Sequence, residues 1–428
     1  MEVILKKAQT LREIYNTFKP EEYLTPEKKD FYVNIFEDDL KTISDMLEWS
    51  ENSQETIFVA GQPGNGKSTA LHLLPQTHPV INELYEVLYL NGRDKFDPAV
   101  ATDAVDVMLM VGFLFAKQDK TLRDKYIKSL EKLQDEKLGE LEKVASHTAT
   151  ELNQEITGID SGFKIDLKIL KIGADFEDNF RFDEETKITT RKLLKSKKKD
   201  FIDATNKIIS EYSAKLNGKK VLLVIDDIEK LNESDTIFTH DVGTLLQIEC
   251  AKIITMPIHL KRTNAFAGHT AMEFSIKLKE KKDEKCISKN IELLREIIKK
   301  RIDSDEIASL IDNLAIDKIV VMSGGNIRQL TTIIREAALD AKDSSHISVK
   351  NVNSAIYDLK KQYSSATQIM KEFLDEIATN NLPKDFNDNS VKLLAKATKE
   401  QMIFAYHNSE SWYDVNPIIL DKEPCKID

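Results

Sequence analysis

The chain has 428 residues, 41% hydrophobic and 31% charged, with a formal charge of −11. That length predicts two or three domains, and the acidic balance argues against a surface built as a whole to attract nucleic acid, though not against a local basic patch. No apolar run approaches the roughly 20 residues of a membrane span, and MEVILKKAQTLREIY lacks the apolar core of a secretory signal. Cys250, Cys286 and Cys425 are far apart and odd in number. They read as neither a zinc spacing nor a disulfide framework and point to a reducing cytoplasm.

Residues 1–50 read as amphipathic helices: Leu11, Ile14, Tyr15 and Phe18 recur at helical spacing, followed by Phe31 to Phe36 and then Leu40, Ile43, Met46 and Leu47. Core packing is their expected role, with a place beside a bound adenine as the alternative. Thr56 to Leu74, TIFVAGQPGNGKSTALHLL, then contains Gly61-x-x-x-x-Gly66-Lys67-Ser68, a phosphate loop between an apolar strand and a helix. Gly61, Gly64 and Gly66 allow backbone angles that turn successive N–H groups toward phosphate oxygens. The expected nucleotide-binding segment is therefore Gly61, Gln62, Pro63, Gly64, Asn65, Gly66, Lys67, Ser68 and Thr69. In it Lys67 reaches the β and γ phosphates and Ser68 holds Mg²⁺.

Glu86 to Leu90 reads as a second strand, Asn91-Gly92 as a turn, and Ala101 to Ala116 as an apolar helix with Asp103 and Asp106 near its start. This alternation predicts a parallel α/β sheet. From about Lys117 the composition changes. Residues 120–155 form a charged helical run, 158–182 alternate as a hairpin does, and Arg191 to Tyr212 returns to helix. Such a stretch is too long for a simple crossover and reads as an insertion, 117–215, that offers surface to partners. Within it KSKKK at 195–199 reads as a solvated helix face, with DNA contact as the alternative.

Val221 to Ile225 is a buried-strand run followed by Asp226-Asp227, a Walker B pattern. Asp226 is expected in the Mg²⁺ shell and Asp227 as general base on the attacking water. Ala251 to Met256 is a further strand, with Thr255 near its end for the γ phosphate or the water. Met272 to Leu278 reads as a fifth strand, and Arg262 before it is the candidate arginine finger. Helices over Ile291 to Ile302 and Ile307 to Met322 lead into SGGNIRQL, where Asn326 caps the next helix and Arg328 falls in its first turn. Ile347 to Tyr363 is another helix. Gln368 to Ala378, Ser390 to Thr398, MIFAY and SWYDV then give two helices and a hairpin, the pattern of a winged helix. From Tyr363 onward seven lysines face eleven acidic residues, so contact with protein is at least as well supported as contact with DNA.

GQPGNGKST, VLLVIDDIEKL, KIITMPI, SGGNIRQL and FAYHNSESWYDVNPII together resemble the AAA+ and STAND-type ATPases that share their build with origin-recognition ATPases. The resemblance implies an α/β P-loop NTPase fold with a parallel sheet, a helical lid and a C-terminal winged-helix domain. Its divisions would be a helical segment 1–50, an ATPase core 51–280, a lid 281–362 and a winged helix 363–428. It implies ATP and Mg²⁺ as cofactors, Thr255 as sensor 1, Arg328 as sensor 2, and a catalytic set of Lys67, Asp227, Thr255, Arg328 and Arg262.

Similar bacterial ATPases often sit in defence or mobile-element operons beside a separate effector. The expected function is thus an ATP-driven switch that regulates a protein partner, with self-association through the core and no membrane. The rivals are a DNA-binding initiator or loader, and a scaffold that binds ATP without hydrolysing it. Asp227 stands where many members have Glu, and no finger arginine stands at an unambiguous motif. Both departures predict slow, partner-dependent turnover.

Overall fold

The computed structural model describes residues 6–51, 54–97, 100–133, 135–136, 191–261, 268–407 and 411–427. β1 (Thr56–Ala60), β2 (Tyr85–Asn91), β3 (Lys220–Asp226), β4 (Ala251–Met256) and β5 (Thr270–Glu273) form one sheet in the order β2-β3-β4-β1-β5. Every pairing in it is parallel. A parallel sheet requires cover on both faces, and β1 and β4 are buried along their whole length. The strand pleat sends alternate side chains to opposite sides. Ile57, Val59, Val224 and Ile253 enter a core shared with the N-terminal helices and a C-terminal helical bundle. Phe58, Leu223, Ile225 and Ile254 enter a second core.

The second core is built on the helix Ala104–Ala116, all of whose residues are buried and whose start is closed by a capping box of Asp103 and Asp106. The described flanks of the charged stretch pack onto it. Tyr126, on a helical run from residue 120, is fully buried, and its hydroxyl lies 3.1 Å from that of Thr205. A Cβ on Gly112 would meet that hydroxyl at 2.0 Å, so the helix can approach only where there is no side chain. Phe201, Ile208 and Ile209 of the helix Lys198–Ser213 are buried in the same core. The hairpin expected over 158–182 lies outside the described residues. In KSKKK, Lys195 pairs with Asp103 at 2.7 Å and Lys198 with Asp241 at 2.8 Å.

Three expectations are corrected, the third in the helical bundle. The fifth strand is Thr270–Glu273, followed by one last backbone hydrogen bond to β1, from the Phe274 N–H to the Ala60 carbonyl at 2.8 Å. Beyond the strand, the alternating Phe274, Ile276 and Leu278 still point into the first core, which is why they read as strand. The three cysteines do contain a disulfide: Cys286 and Cys425, 139 residues apart, are bonded and leave Cys250 free and buried. Spacing gave no hint, because the partners meet only where the tail returns beside Lys285, in a bridge with Lys426.

The bundle comprises Ser288–Arg301, Asn313–Met322, Ile327–Asp340 and Val349–Gln362. The helix expected over 307–322 is interrupted at Ile311, which bridges to Ile347. Beyond it come Gln368–Asn380, Asp388–Lys399 and an antiparallel hairpin of β6 (Ile403–His407) and β7 (Ser411–Val415). One hairpin face carries Ile403, Ala405 and Tyr413 against the two helices. The other carries Phe404, Tyr406 and Trp412, all buried, with the Tyr406 hydroxyl donating to the Gly324 carbonyl at 3.3 Å. No helix among the described residues is long and apolar enough to cross a membrane.

Candidate nucleotide-binding site

At the carboxyl ends of the strands, β1 runs into the loop Gly61 to Gly66 and the helix Lys67–Thr77. Gly64 and Gly66 hold φ of +87° and +88°, left-handed values that favour glycine. The loop is held from three sides. The Arg328 N–H donates to the Gly64 carbonyl at 3.0 Å, and Asn326 Nδ2 donates to the Pro63 carbonyl at 2.8 Å. Gln401 Nε2 donates to that same Pro63 carbonyl at 3.2 Å. Gln62 Nε2 donates to Ala405 in β6 at 3.1 Å, and Asn65 Nδ2 to the Phe274 carbonyl at 3.2 Å. Gln62 and Asn65 thus act as joints between the loop, the bundle and the hairpin.

Lys67 is buried, with its ammonium 2.8 Å from the Gly61 carbonyl and 3.2 Å from Glu229 Oε1. Glu229, on the short turn Ile228–Lys230 after β3, is the residue that sequence reasoning missed. Its other oxygen accepts from the Thr255 hydroxyl at 2.7 Å. Thr255 in turn accepts from the Asp227 N–H at 3.0 Å, so its hydroxyl is spent on the acidic loop. Burial raises the Glu229 pKa, but Lys67, Lys230 and the Thr255 hydroxyl outweigh it and hold the carboxyl below the usual range. The signal was present as the fourth residue of Asp-Asp-Ile-Glu, but only folding brings that carboxylate between Lys67 and Thr255.

Asp226 accepts the Asp227 N–H on Oδ1 at 2.8 Å, while its buried Oδ2 has no partner. Burial, then the nearby Asp227 and Glu229, raise its pKa above the usual carboxylate range against the pull of Lys230 and Ser68. Oxygens of Asp226, Asp227 and Glu229 lie within 4.8 Å of one another. An orphaned buried carboxylate oxygen among hard oxygen donors, beside the Ser68 hydroxyl, fits Mg²⁺. Asp227 adopts a left-handed backbone, φ 62°, and is paired with Lys230 and, at 3.7 Å, with Arg93.

Arg93 is a second residue that the sequence did not single out. It follows Asn91, whose side chain caps a short turn at the end of β2, and Gly92, where a Cβ would meet the Asp227 backbone at 3.0 Å. Arg328 lies across from it, its Nε donating to the Pro20 carbonyl at 3.3 Å. Glu21 is 3.4 Å from both Arg93 and Arg328. Leu24 N–H donates to Thr69 Oγ1 at 3.1 Å, and Tyr23 stacks on His72, which stacks on Tyr89. Residues 20–24 therefore form a strap over the phosphate side of the site. Arg262 lies outside the described residues.

These groups open on one cavity of about 440 Å³. Its phosphate side is lined by Gly64, Gly66, Lys67, Ser68, Asp227 and Arg328, and its apolar side by Phe31, Val33, Ile35, Phe36, Ile297 and Ile327. The N-terminal segment contributes Ile14, Phe18 and Leu40 to the first core, the expected packing role, and its residues also line the cavity.

The parallel sheet, the phosphate loop after its inner strand β1 and the acidic turn after β3 define an α/β fold of the P-loop nucleotide-binding kind. No family model matches the sequence, and no curated protein matches it. Solved structures with a similar fold include Drosophila ORC bound to DNA, at 11% identity and a TM-score of 0.42 over 96% of this chain and 90% of that one. Cdc6p from Pyrobaculum aerophilum matches at 12% identity and 0.40, over 96% and 94%. The Thermotoga maritima RuvB Holliday junction branch migration motor matches at 11% identity and 0.38, over 90% and 93%.

Proposed function

We propose that this chain is an ATP-binding and hydrolysing AAA+/STAND-type switch that regulates a protein partner, in the setting of a prokaryotic defence or mobile-element system. The observation that carries the reading is the direct grip of Asn326 and Arg328 on the phosphate loop, at the mouth of a cavity that also holds Lys67 and the acidic turn. In this reading the helices from Ser288 onward are the lid, and the two helices with the hairpin are a winged-helix unit.

Lys67, Ser68 and the loop N–H groups bind the triphosphate, and Asp226 with Ser68 holds Mg²⁺. Bound there, Mg²⁺ would neutralise phosphate charge. Asp227 takes the proton of the attacking water and is released for that task from Lys230 and Arg93. Entry of a γ phosphate draws Lys67 from Glu229, and Thr255 senses the change through the Glu229 carboxylate it holds. Arg328 follows the phosphate and moves the lid. Gln62 and Pro63 carry the same displacement to the hairpin through Ala405 and Gln401. A ligand shifts such an equilibrium only by its difference in affinity for the two states. The contacts of Lys67, Thr255 and Arg328 are the source of that difference.

The initiator or loader reading is less favoured because Phe404, Tyr406 and Trp412 of the hairpin are turned inward and buried. Binding and phosphate release are the test. Lys67→Ala is expected to lose ATP binding, and Asp227→Asn to keep binding and lose hydrolysis. An Asp227→Asn variant that turns over like the parent removes the base assignment. Mass determination in ATP, in ADP and without nucleotide shows whether the switch also drives self-association. Absence of phosphate release with every partner tried supports the scaffold.

A further inference from the structure

Arg301, the last residue of Ser288–Arg301, lines the nucleotide cavity one turn beyond Ile297 and is 9% exposed. A guanidinium offers five N–H donors and no acceptor. Here one is spent on the Ile297 carbonyl at 2.9 Å. The head lies 5.8 Å from the ring centroids of both Phe18 and Phe31. Among the described residues no carboxylate pairs with it, whereas Lys67, the other buried cation of the cavity, has Glu229. Burial alone brings its pKa down to about 10, so the group stays charged at neutral pH. A buried charge without a partner is destabilising, and two aromatic faces at that distance offset only part of it.

The phosphate loop fixes one end of any triphosphate in this cavity, so the nucleoside extends along the wall of Val33, Ile35, Phe36 and Ile297. We infer that Arg301 is the base-reading residue of the cavity, its guanidinium donating a hydrogen bond to a ring nitrogen of the bound adenine. This rests on the reading of the cavity as an ATP site. Adenine presents N1, N3 and N7 as acceptors, and a donor-only head supplies what apolar walls lack. The exocyclic amine, itself a donor, is not its partner.

Binding of ATP and of its 1-deaza, 3-deaza and 7-deaza analogues to the full chain tests the inference. One analogue is expected to bind the parent about 10- to 100-fold more weakly than ATP, the range for a lost hydrogen bond to a charged group. In Arg301→Met that difference disappears, because ATP itself weakens to the level of the analogue, while Arg301→Lys, which keeps a cationic donor, retains part of it. Arg301→Met also removes the unpaired charge, so its nucleotide-free thermal midpoint is expected to rise.

A purely structural arginine gives the opposite pattern: a lower midpoint and equal loss for ATP and every analogue. That pattern, or a parent that binds all three analogues like ATP, overturns the inference. If Arg301→Met does not fold, the parent series and Arg301→Lys decide it. A parent that binds ATP and loses it in Lys67→Ala, yet is indifferent to Arg301, removes this inference alone. A parent that binds no ATP removes the nucleotide reading and the inference together.

Discussion

Asp226→Asn removes one of three crowded carboxylates while keeping an acceptor for the Asp227 N–H. At the 4.8 Å within which the Asp226, Asp227 and Glu229 oxygens lie, and with an effective dielectric of about 20, one pair repels by about 3.5 kcal/mol. Lys67 and Lys230 offset part of that through their pairs with Glu229 and Asp227. The orphaned Oδ2 adds a desolvation cost of about 1–3 kcal/mol. The variant is therefore expected to be more stable than the parent without metal, by about 1–3 kcal/mol.

Urea unfolding followed by circular dichroism measures this stability. Burial and the neighbouring acids raise the Asp226 pKa from 3.8 to about 6. Between those values the folded parent holds more protons than the unfolded chain. The Asp226 contribution to parent stability thus falls as pH rises through the window and is level above it, and the difference between parent and variant carries that slope, while Asp39, also raised to about 6, acts alike in both. Glu229, with its pKa lowered, acts in the opposite sense and only in more acidic solution. With Mg·ATP at about 100 times its Kd the parent gains about 2.7 kcal/mol, and the variant loses the Mg²⁺-dependent part. A variant less stable than the parent without metal, and with the Mg²⁺ increment intact, refutes the reasoning.

Gly64→Ala places a Cβ 2.6 Å from both Arg328 Cβ and Asn326 Oδ1 at a φ of +87°. It is expected to lower stability by about 1–2 kcal/mol from backbone strain alone and to break the grip of the bundle on the loop. Calorimetric ATP titration, together with the thermal midpoint, reads both effects. Glu21→Ala frees Arg93 and Arg328 from a shared carboxylate and is expected to tighten ATP binding with little change in midpoint; unchanged or weaker binding counts against the strap as a competitor. Reductant is expected to lower the parent's stability by about 2–5 kcal/mol through Cys286–Cys425. Cys286→Ser starts lower and does not respond, which paired melts with and without dithiothreitol check.

The sequence by itself determined the features that local chemistry demands. A phosphate loop needs glycines at fixed offsets, a buried parallel strand needs an apolar run, and a helix start needs Asn326 or Asp103, so each is written in a few neighbouring residues. The α/β sheet, the closing hairpin and the positions of Lys67, Asp226 and Arg328 were legible for that reason. Only the tertiary structure decided which groups those side chains meet.

Thr255 faces Glu229 and Asp227 because β3 and β4 pair in a particular register. Gln62 and Asn65, which read as phosphate-loop positions, became joints because Phe274, Asn326 and the hairpin close around them. Cys425 reaches Cys286 across 139 residues, and Glu21, Arg93 and Arg301 gather on one cavity from three distant segments. Side-chain partnership depends on packing between elements that are neighbours only after folding, and one sequence carries no local mark of it.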